Sequence, residues 1–297
     1  MKNTILIGPS GFLGPAILKK NPSIIAVGRK RPPYYCKNKF IKIKNIFNLK
    51  KLDKIKIDNV IFLIGNSNHH KLNKASLNSS LKYNMFPLQS ALEYFSKKKI
   101  KKFISFTGAL LYDQKKLRLP CKENSPIYPY KNNYILSKFL AEQITNYYSK
   151  IIPCINIRLS NIYGPSLLDR PDIIISIFNK ILKNKNVEVN TFKPERDFIH
   201  VDDVSEAVTR LIKSDFTGTI NLGSGKRYSI QNVCKIIQEI TNYKITSKNI
   251  KVDGPYKYQH DISLLKKTIN WSPKVSLELG LKKTWSQINE WKNTKKK

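Results

Sequence analysis

Short, wholly apolar runs alternate with longer stretches in which apolar residues recur every three or four positions. Residues 4–7 (TILI), 24–27 (IIAV) and 60–64 (VIFLI) have the length and composition of strands. The uniform apolarity of residues 60–64 predicts a strand covered on both faces. Residues 103–106 and 154–157 extend the series. Between these runs the spacing predicts a helix from Phe12-Leu13 through residues 16–18, one over about 75–98 and one over about 133–148. This alternation predicts an α/β chain: a doubly wound parallel sheet with helices on both faces. From about Tyr163 the pattern loosens, with breaks at Gly164-Pro165 and Arg170-Pro171. Helices near 173–183, 230–241 and 277–291 and a strand at 219–222 predict a smaller, less regular C-terminal α/β domain laid over the sheet.

The first strand runs into Gly8, Gly11 and Gly14, where the first helix begins. A helix N-terminus offers unpaired N–H groups and a partial positive charge. Residues without a Cβ let that backbone approach a phosphate. The spacing is G-x-x-G-x-x-G, with Pro15 in the first helical turn, where no N–H bond is lost.

Composition changes little in this picture. Four scattered cysteines (Cys36, Cys121, Cys154, Cys234) without C-x-x-C predict reduced thiols, neither a disulfide framework nor a zinc site. No secretory pattern precedes Thr4, and no apolar run approaches the ~20 residues of a membrane span. The expected location is therefore cytoplasmic, with no membrane partner. The formal net charge of +34 raises a nucleic-acid hypothesis. Lysines, however, run through every segment instead of clustering, and abundant Lys, Asn and Ile with scarce Ala match AT-rich coding. The charge favours encounter with an anionic small molecule; no nucleic-acid partner is expected.

Tyr134-Ile-Leu-Ser-Lys138 places two polar side chains four apart on one helix face. A tyrosine hydroxyl titrates near ~10, and an adjacent ammonium lowers that value, so the pair can exchange a proton with a sugar or alcohol oxygen. Taken alone, the motif arises readily by chance in a lysine-rich chain.

The order of motifs carries more. The glycine turn is followed by Asn84 on a helix, then Thr107-Gly-Ala-Leu-Leu-Tyr112, Tyr134/Lys138, Arg158-Leu-Ser-Asn161-Ile-Tyr-Gly164-Pro165, Arg196-Asp-Phe-Ile-His-Val-Asp-Asp203 and Asn221-Leu-Gly-Ser-Gly225. This succession resembles the extended short-chain dehydrogenase/reductases, specifically the NAD-dependent epimerase/dehydratase family acting on nucleotide sugars, over essentially the full chain. The resemblance implies a Rossmann domain over 1–162, to which segments near 198–222 return, and a nucleotide-sugar domain over 163–297. It implies that Gly8, Gly11 and Gly14 cradle the cofactor pyrophosphate, with Phe12, Leu13 and Asn84 also at the cofactor. Tyr134 would be the acid/base, with Lys138 tuning it and binding the nicotinamide ribose. Asn161 and Arg196 would meet the diphosphate or nucleoside of a nucleoside diphosphate sugar. It also implies a homodimer through the two long helices.

Three departures shape the functional expectation. The family's usual Ser or Thr, four residues before the tyrosine matching Tyr112, is Gly108 here, so Thr107 is the candidate catalytic hydroxyl. Ala109-Leu110 replace the dehydratase carboxylates. Arg29, at the end of the second strand, suits an NADP 2′-phosphate, whereas an acidic residue would bind the NAD ribose. The expected activity is an NAD(P)-dependent 4-keto-sugar reductase, NADP slightly ahead of NAD. The alternatives are a nucleotide-sugar 4-epimerase and a catalytically weakened nucleotide-binding protein. His69-His70 lack acidic or cysteine partners at ligand spacing, so no metal is expected. His200 reads as structural, Asp202-Asp203 as a helix start, Arg196-Asp197 alternatively as a local ion pair, and Tyr128, Tyr130 and Tyr163 as pocket or half-buried aromatics.

Overall fold

In the computed structural model, residues 2–33, 35–68, 72, 74–166, 168, 170, 172–252 and 256–294 are described. The strands β1 (Thr4–Ile7), β2 (Ile25–Gly28), β3 (Phe40–Lys42), β4 (Asn59–Phe62), β5 (Lys102–Gly108) and β6 (Cys154–Leu159) join β11 (Gly218–Leu222) in one parallel sheet. Its order is β11-β6-β5-β4-β1-β2-β3. Alternate residues explain the uniformly apolar strands: Ile5, Ile7, Val60, Phe62 and Phe103 enter one core, and Leu6, Ile61 and Ile104 the other.

With α2 (Leu77–Asn84) lying against α4 (Asn133–Tyr148), the first of these cores is covered by α3 (Phe86–Ser96) and α4, with Leu88, Leu92, Phe95 and Ala141 packed inward. The second is covered by α1 (Leu13–Lys20) and α6 (Val201–Leu211), through Ile17, Leu18, Val204, Val208 and Leu211. The single helix expected over 75–98 is two. Pro87 in the first turn of α3 has no N–H to continue the ladder, and the break falls at Met85, with φ −111°.

The remaining strands pair in twos: β7 (Asn161–Tyr163) with β10 (Phe198–His200), β8 (Val187–Val189) with β13 (Ile245–Ser247), and β9 (Glu195–Arg196) with β12 (Tyr228–Ser229). They surround a third core shared with α5 (Ile173–Leu182), α7 (Ile230–Thr241) and α9 (Leu277–Thr294). A further helix, α8 (Ser263–Ile269), packs Leu265 and Ile269 against the sheet.

Helix α6 begins earlier than expected. His200 is its N-cap, accepting the Asp202 N–H at Nδ1 over 3.3 Å, so both aspartates lie in the first turn. There Asp203 accepts the backbone N–H groups of Lys274 and Val275, each at 3.0 Å, and fastens the approach to α9.

Candidate active site

The C-terminal ends of β1, β4, β5 and β6 open into a cleft of about 1590 Å³, the ligand position expected of such sheets. At one end is the glycine turn. Gly8 adopts φ +90° and donates its N–H to the Val27 carbonyl over 3.0 Å. A Cβ on Gly14 would lie 2.5 Å from the Pro9 carbonyl oxygen, so glycine is needed for the helix start to pack on the turn. Gly11 has nothing nearer its absent Cβ than the Gly8 oxygen at 3.8 Å, and it lines the cleft with Phe12, Leu13 and Gly14. This bare backbone at a helix N-terminus fits a dinucleotide pyrophosphate.

Tyr134 and Lys138 line the cleft from helix α4, whose start is capped by Asn132 accepting the Ile135 N–H over 2.9 Å. A Cβ on Gly65 would come 3.2 Å from Lys138 Nζ and 3.3 Å from Asn84 Oδ1, so the absent side chain leaves room for both. Asn84 accepts the Asn66 N–H at 2.8 Å and donates to Ser137 Oγ at 3.0 Å; Ser137 in turn donates to the Tyr134 carbonyl at 2.7 Å. Asn84 thus ties the loop after β4 to the helix carrying the pair.

The electrostatics differ from expectation. Burial pushes the Tyr134 phenol up to about 12, with Asp172 adding to the rise and Arg170 opposing it. Burial pushes Lys138 down to about 8. Loss of hydration, which disfavours both charged forms, outweighs the expected effect of the ammonium on the phenol.

Thr107 lines the cleft, but its hydroxyl is engaged within the protein. It is 7% exposed; its Oγ1 donates to Glu142 Oε2 over 3.1 Å and accepts from Asn156 Nδ2 at 3.2 Å. Glu142 also takes the Arg158 guanidinium on both oxygens, at 3.1 and 2.5 Å, and Asn156 Nδ2 at 2.8 Å. Burial lowers the Arg158 pKa, but hydrogen bonds and charge from Glu142 more than reverse this. Glu142 is a residue the motif reading missed. Its spacing of eight from Tyr134 and four from Lys138, an acid on a helix face turned inward, was the available signal.

Towards the other end of the cleft stand Asn161 and Arg196. Burial lowers Arg196 to about 10, which leaves it charged at neutral pH. Arg196 and Asp197 form no ion pair. Among the described residues Arg196 bonds only the Glu195 carbonyl, at 3.1 Å, while fully buried Asp197 accepts from the N–H groups of Ser224, Gly225 and His260 and from Ser224 Oγ. Alternate strand residues face opposite sides, which leaves the guanidinium in the cleft. Tyr128 and Tyr130 stand exposed at the cleft, whereas Tyr163 is buried against Phe198 and His200. Arg29 is exposed just beyond β2, outside the cleft-lining residues. His69 and His70 lie outside the described residues. Among the described residues, no group of three or more His, Cys, Asp or Glu could hold a metal, and no helix is long and apolar enough to cross a membrane.

A glycine turn at the head of a parallel sheet and a tyrosine–lysine pair in one cleft define the nucleotide-dependent oxidoreductases of the extended short-chain type. The chain belongs to the NAD dependent epimerase/dehydratase family, whose model matches residues 4–223. It is 25% identical to CDP-abequose synthase of Salmonella muenchen, over 96% of this chain and 97% of that protein. It is 31% identical to UDP-glucuronate 4-epimerase of Thermodesulfobacterium geofontis over 57% of this chain, about half (53%) of that relative. Its fold is similar to that of the UDP-glucose 4-epimerase of Thermotoga maritima, solved with UDP-glucose (TM-score 0.88, 21% identity, 97% of this chain and 99% of that one). It is similar also to the UDP-glucuronic acid 4-epimerase of Bacillus cereus, solved with UDP-glucuronic acid and NAD (TM-score 0.85, 24% identity, 98% of this chain and 100% of that one).

Proposed function

We propose that this chain reduces the C4 ketone of a nucleoside diphosphate sugar, with NADPH or NADH as reductant and Tyr134 as proton donor. The observation that carries this reading is the placement of Tyr134 and Lys138 in one cleft with the bare glycine turn, where burial raises the phenol and keeps its proton available to a ketone oxygen. Reduction of a ketone draws a proton from the protein; oxidation of an alcohol needs a base first. A bound nicotinamide supplies the hydride. Tyr134 releases its proton to the sugar oxygen as charge develops there. Lys138, at about 8, remains mostly ammonium at pH 7 and stabilises the phenolate left behind. Asn84 holds the loop after β4 against that helix.

Asn161 and Arg196 bind the substrate diphosphate. A half-buried guanidinium without a carboxylate partner among the described residues suits that charge. The exposed Arg29 beyond β2 supports a preference for NADP. Exposed Tyr147 and Ile151, at the end of α4, support a homodimer through the paired helices. The full-length likeness to CDP-abequose synthase supports a nucleotide-linked sugar as substrate. The likeness to UDP-glucuronate 4-epimerase favours a second reading, a 4-epimerase.

The two readings separate on cofactor retention. Protein purified without added cofactor is denatured and the released dinucleotide identified and quantified. Little retained cofactor, with NADPH binding reversibly on addition, is the expected result. Stoichiometric NAD+ or NADH surviving dialysis would move the assignment to the epimerase, and no binding of either form would overturn both.

A further inference from the structure

Among the described residues, Asp197 alone of the carboxylates has no exposed surface. Among those residues it also pairs with no cation: Arg158 is held by Glu142, and Arg227 by Glu195. A charge without a counter-ion stays buried only where hydrogen bonds replace its water. Both oxygens are fully used. Oδ1 accepts the Ser224 N–H and the Ser224 hydroxyl, each at 2.7 Å, and Oδ2 accepts the N–H groups of Gly225 at 3.1 Å and His260 at 3.2 Å. Burial raises the Asp197 pKa, and these bonds oppose the rise. Gly223 makes the fit possible, since a Cβ there would lie 2.6 Å from Oδ2.

The segments tied together in this way carry the two side chains assigned to the diphosphate. Asp197 directly follows Arg196, and alternation along the strand turns the two to opposite sides. The Asp197 carbonyl accepts the Asn161 N–H at 3.0 Å, and Oδ1 also receives the Ser160 hydroxyl at 3.4 Å. The loop that the carboxylate grips leads from β11 into β12, where Tyr228 pairs with Arg196. Asn161 and Arg196 both line the cleft. Among the described residues the guanidinium bonds only the Glu195 carbonyl, so its direction is set by the backbone that carries it.

We infer that Asp197 is a positioning residue of the substrate site: from behind the cleft it holds Asn161 and Arg196 in one register, so that the two grip the same diphosphate. The inference rests on the function proposed above and concerns substrate affinity; no proton or electron passes through Asp197. A buried carboxylate held on every side does not shift without stranding its charge, and a binding group displaced by about 1 Å costs up to about 100-fold.

Asp197→Asn keeps the size of the side chain. An amide nitrogen in place of either oxygen, however, would face donors instead of accepting from them. Binding of UDP, CDP and dTDP is measured by calorimetry, with NADP+ and NAD+ as controls for the other end of the cleft. The native chain is expected to bind at least one of these diphosphates. Asp197→Asn should bind it about 10–100-fold more weakly and bind the dinucleotide unchanged. In Arg196→Met the same substitution should cost no more than about threefold, because the group it positions is gone. Equal losses with and without Arg196, or a matching loss of dinucleotide affinity, would show a role in the fold alone and overturn the inference. Unchanged diphosphate affinity would overturn it too and leave the proposed function standing. If Asp197→Asn does not fold, Ser224→Ala, which removes the hydroxyl bonded at 2.7 Å, replaces it in the same comparison. A loss of about threefold that vanishes in Arg196→Met is then expected, and no loss would overturn the inference. Failure of the native chain to bind any of the three diphosphates, while the dinucleotide binds, would overturn both.

Discussion

Replacing Arg158 by methionine is expected to lower the free energy of unfolding by about 3–5 kcal/mol, because it strands a buried charge. The Glu142 side chain is only 2% exposed and spends both oxygens on the guanidinium. Arg158 also donates to the Glu123 carbonyl at 2.8 Å and lies 5.0 Å from the Tyr112 ring centre. Removing Glu142 as well, as Glu142→Leu, should recover much of the loss, since an apolar pair of similar volume is often tolerated where a broken ion pair is not. Urea unfolding of the single and double variants forms the cycle that isolates the pair. Equal stability of Arg158→Met and the native chain would refute a structural role. The same network anchors the middle of α4, two turns from Tyr134, so the single variant should also turn over more slowly where it remains folded.

Tyr134→Phe is the second large effect. Loss of the proton donor should reduce turnover by about 10²–10⁴-fold while the dinucleotide still binds. Undiminished turnover would remove Tyr134 from the chemistry. The pair also predicts a pH signature without cofactor. Lys138 titrates at about 8 in the fold and near 10.5 in the unfolded chain. The cost of burying its ammonium is full below about 8 and is relieved as pH rises through that window, so the term adds stability from about 8 towards 10.5. Tyr134 runs the other way. The unfolded phenol ionises near 10.0 and the folded one at about 12, so stability is lost between those values. Differences between the native chain and Lys138→Met or Tyr134→Phe, measured over this range, should show the rise and the fall separately. Parallel curves for all three would mean that neither group is desolvated.

Much of this arrangement was legible because parallel strands buried on both faces write themselves as unbroken apolar runs. β1, β4 and β5 are of that kind. β3 was not, because it is three residues at a sheet edge, each at least partly exposed. The start of α6 was misplaced because capping aspartates are common and a capping imidazole is not. Pro87 was visible, but the apolar period continued across it. The side chosen by Thr107 was open to inspection. In a strand a shift of one residue reverses the face, so Thr107 joins Ser105 towards Asn156 and does not take the direction of a side chain at Gly108. The charge states of Tyr134 and Lys138 were not readable, because burial set by distant parts of the chain decides them.

The sheet ends on a strand that arrives late. β11 closes against β6 after nearly sixty residues of intervening chain. A fragment ending at β6 would carry Cys154-Ile-Asn-Ile157 as a bare border of unpaired N–H and C=O groups, in a segment that is otherwise fully buried. Such a border recruits other chains. The two halves of the molecule are thus bound to a common fate during synthesis: until the ribosome has released β11, the nascent sheet carries an adhesive margin, and self-association competes with completion of the fold.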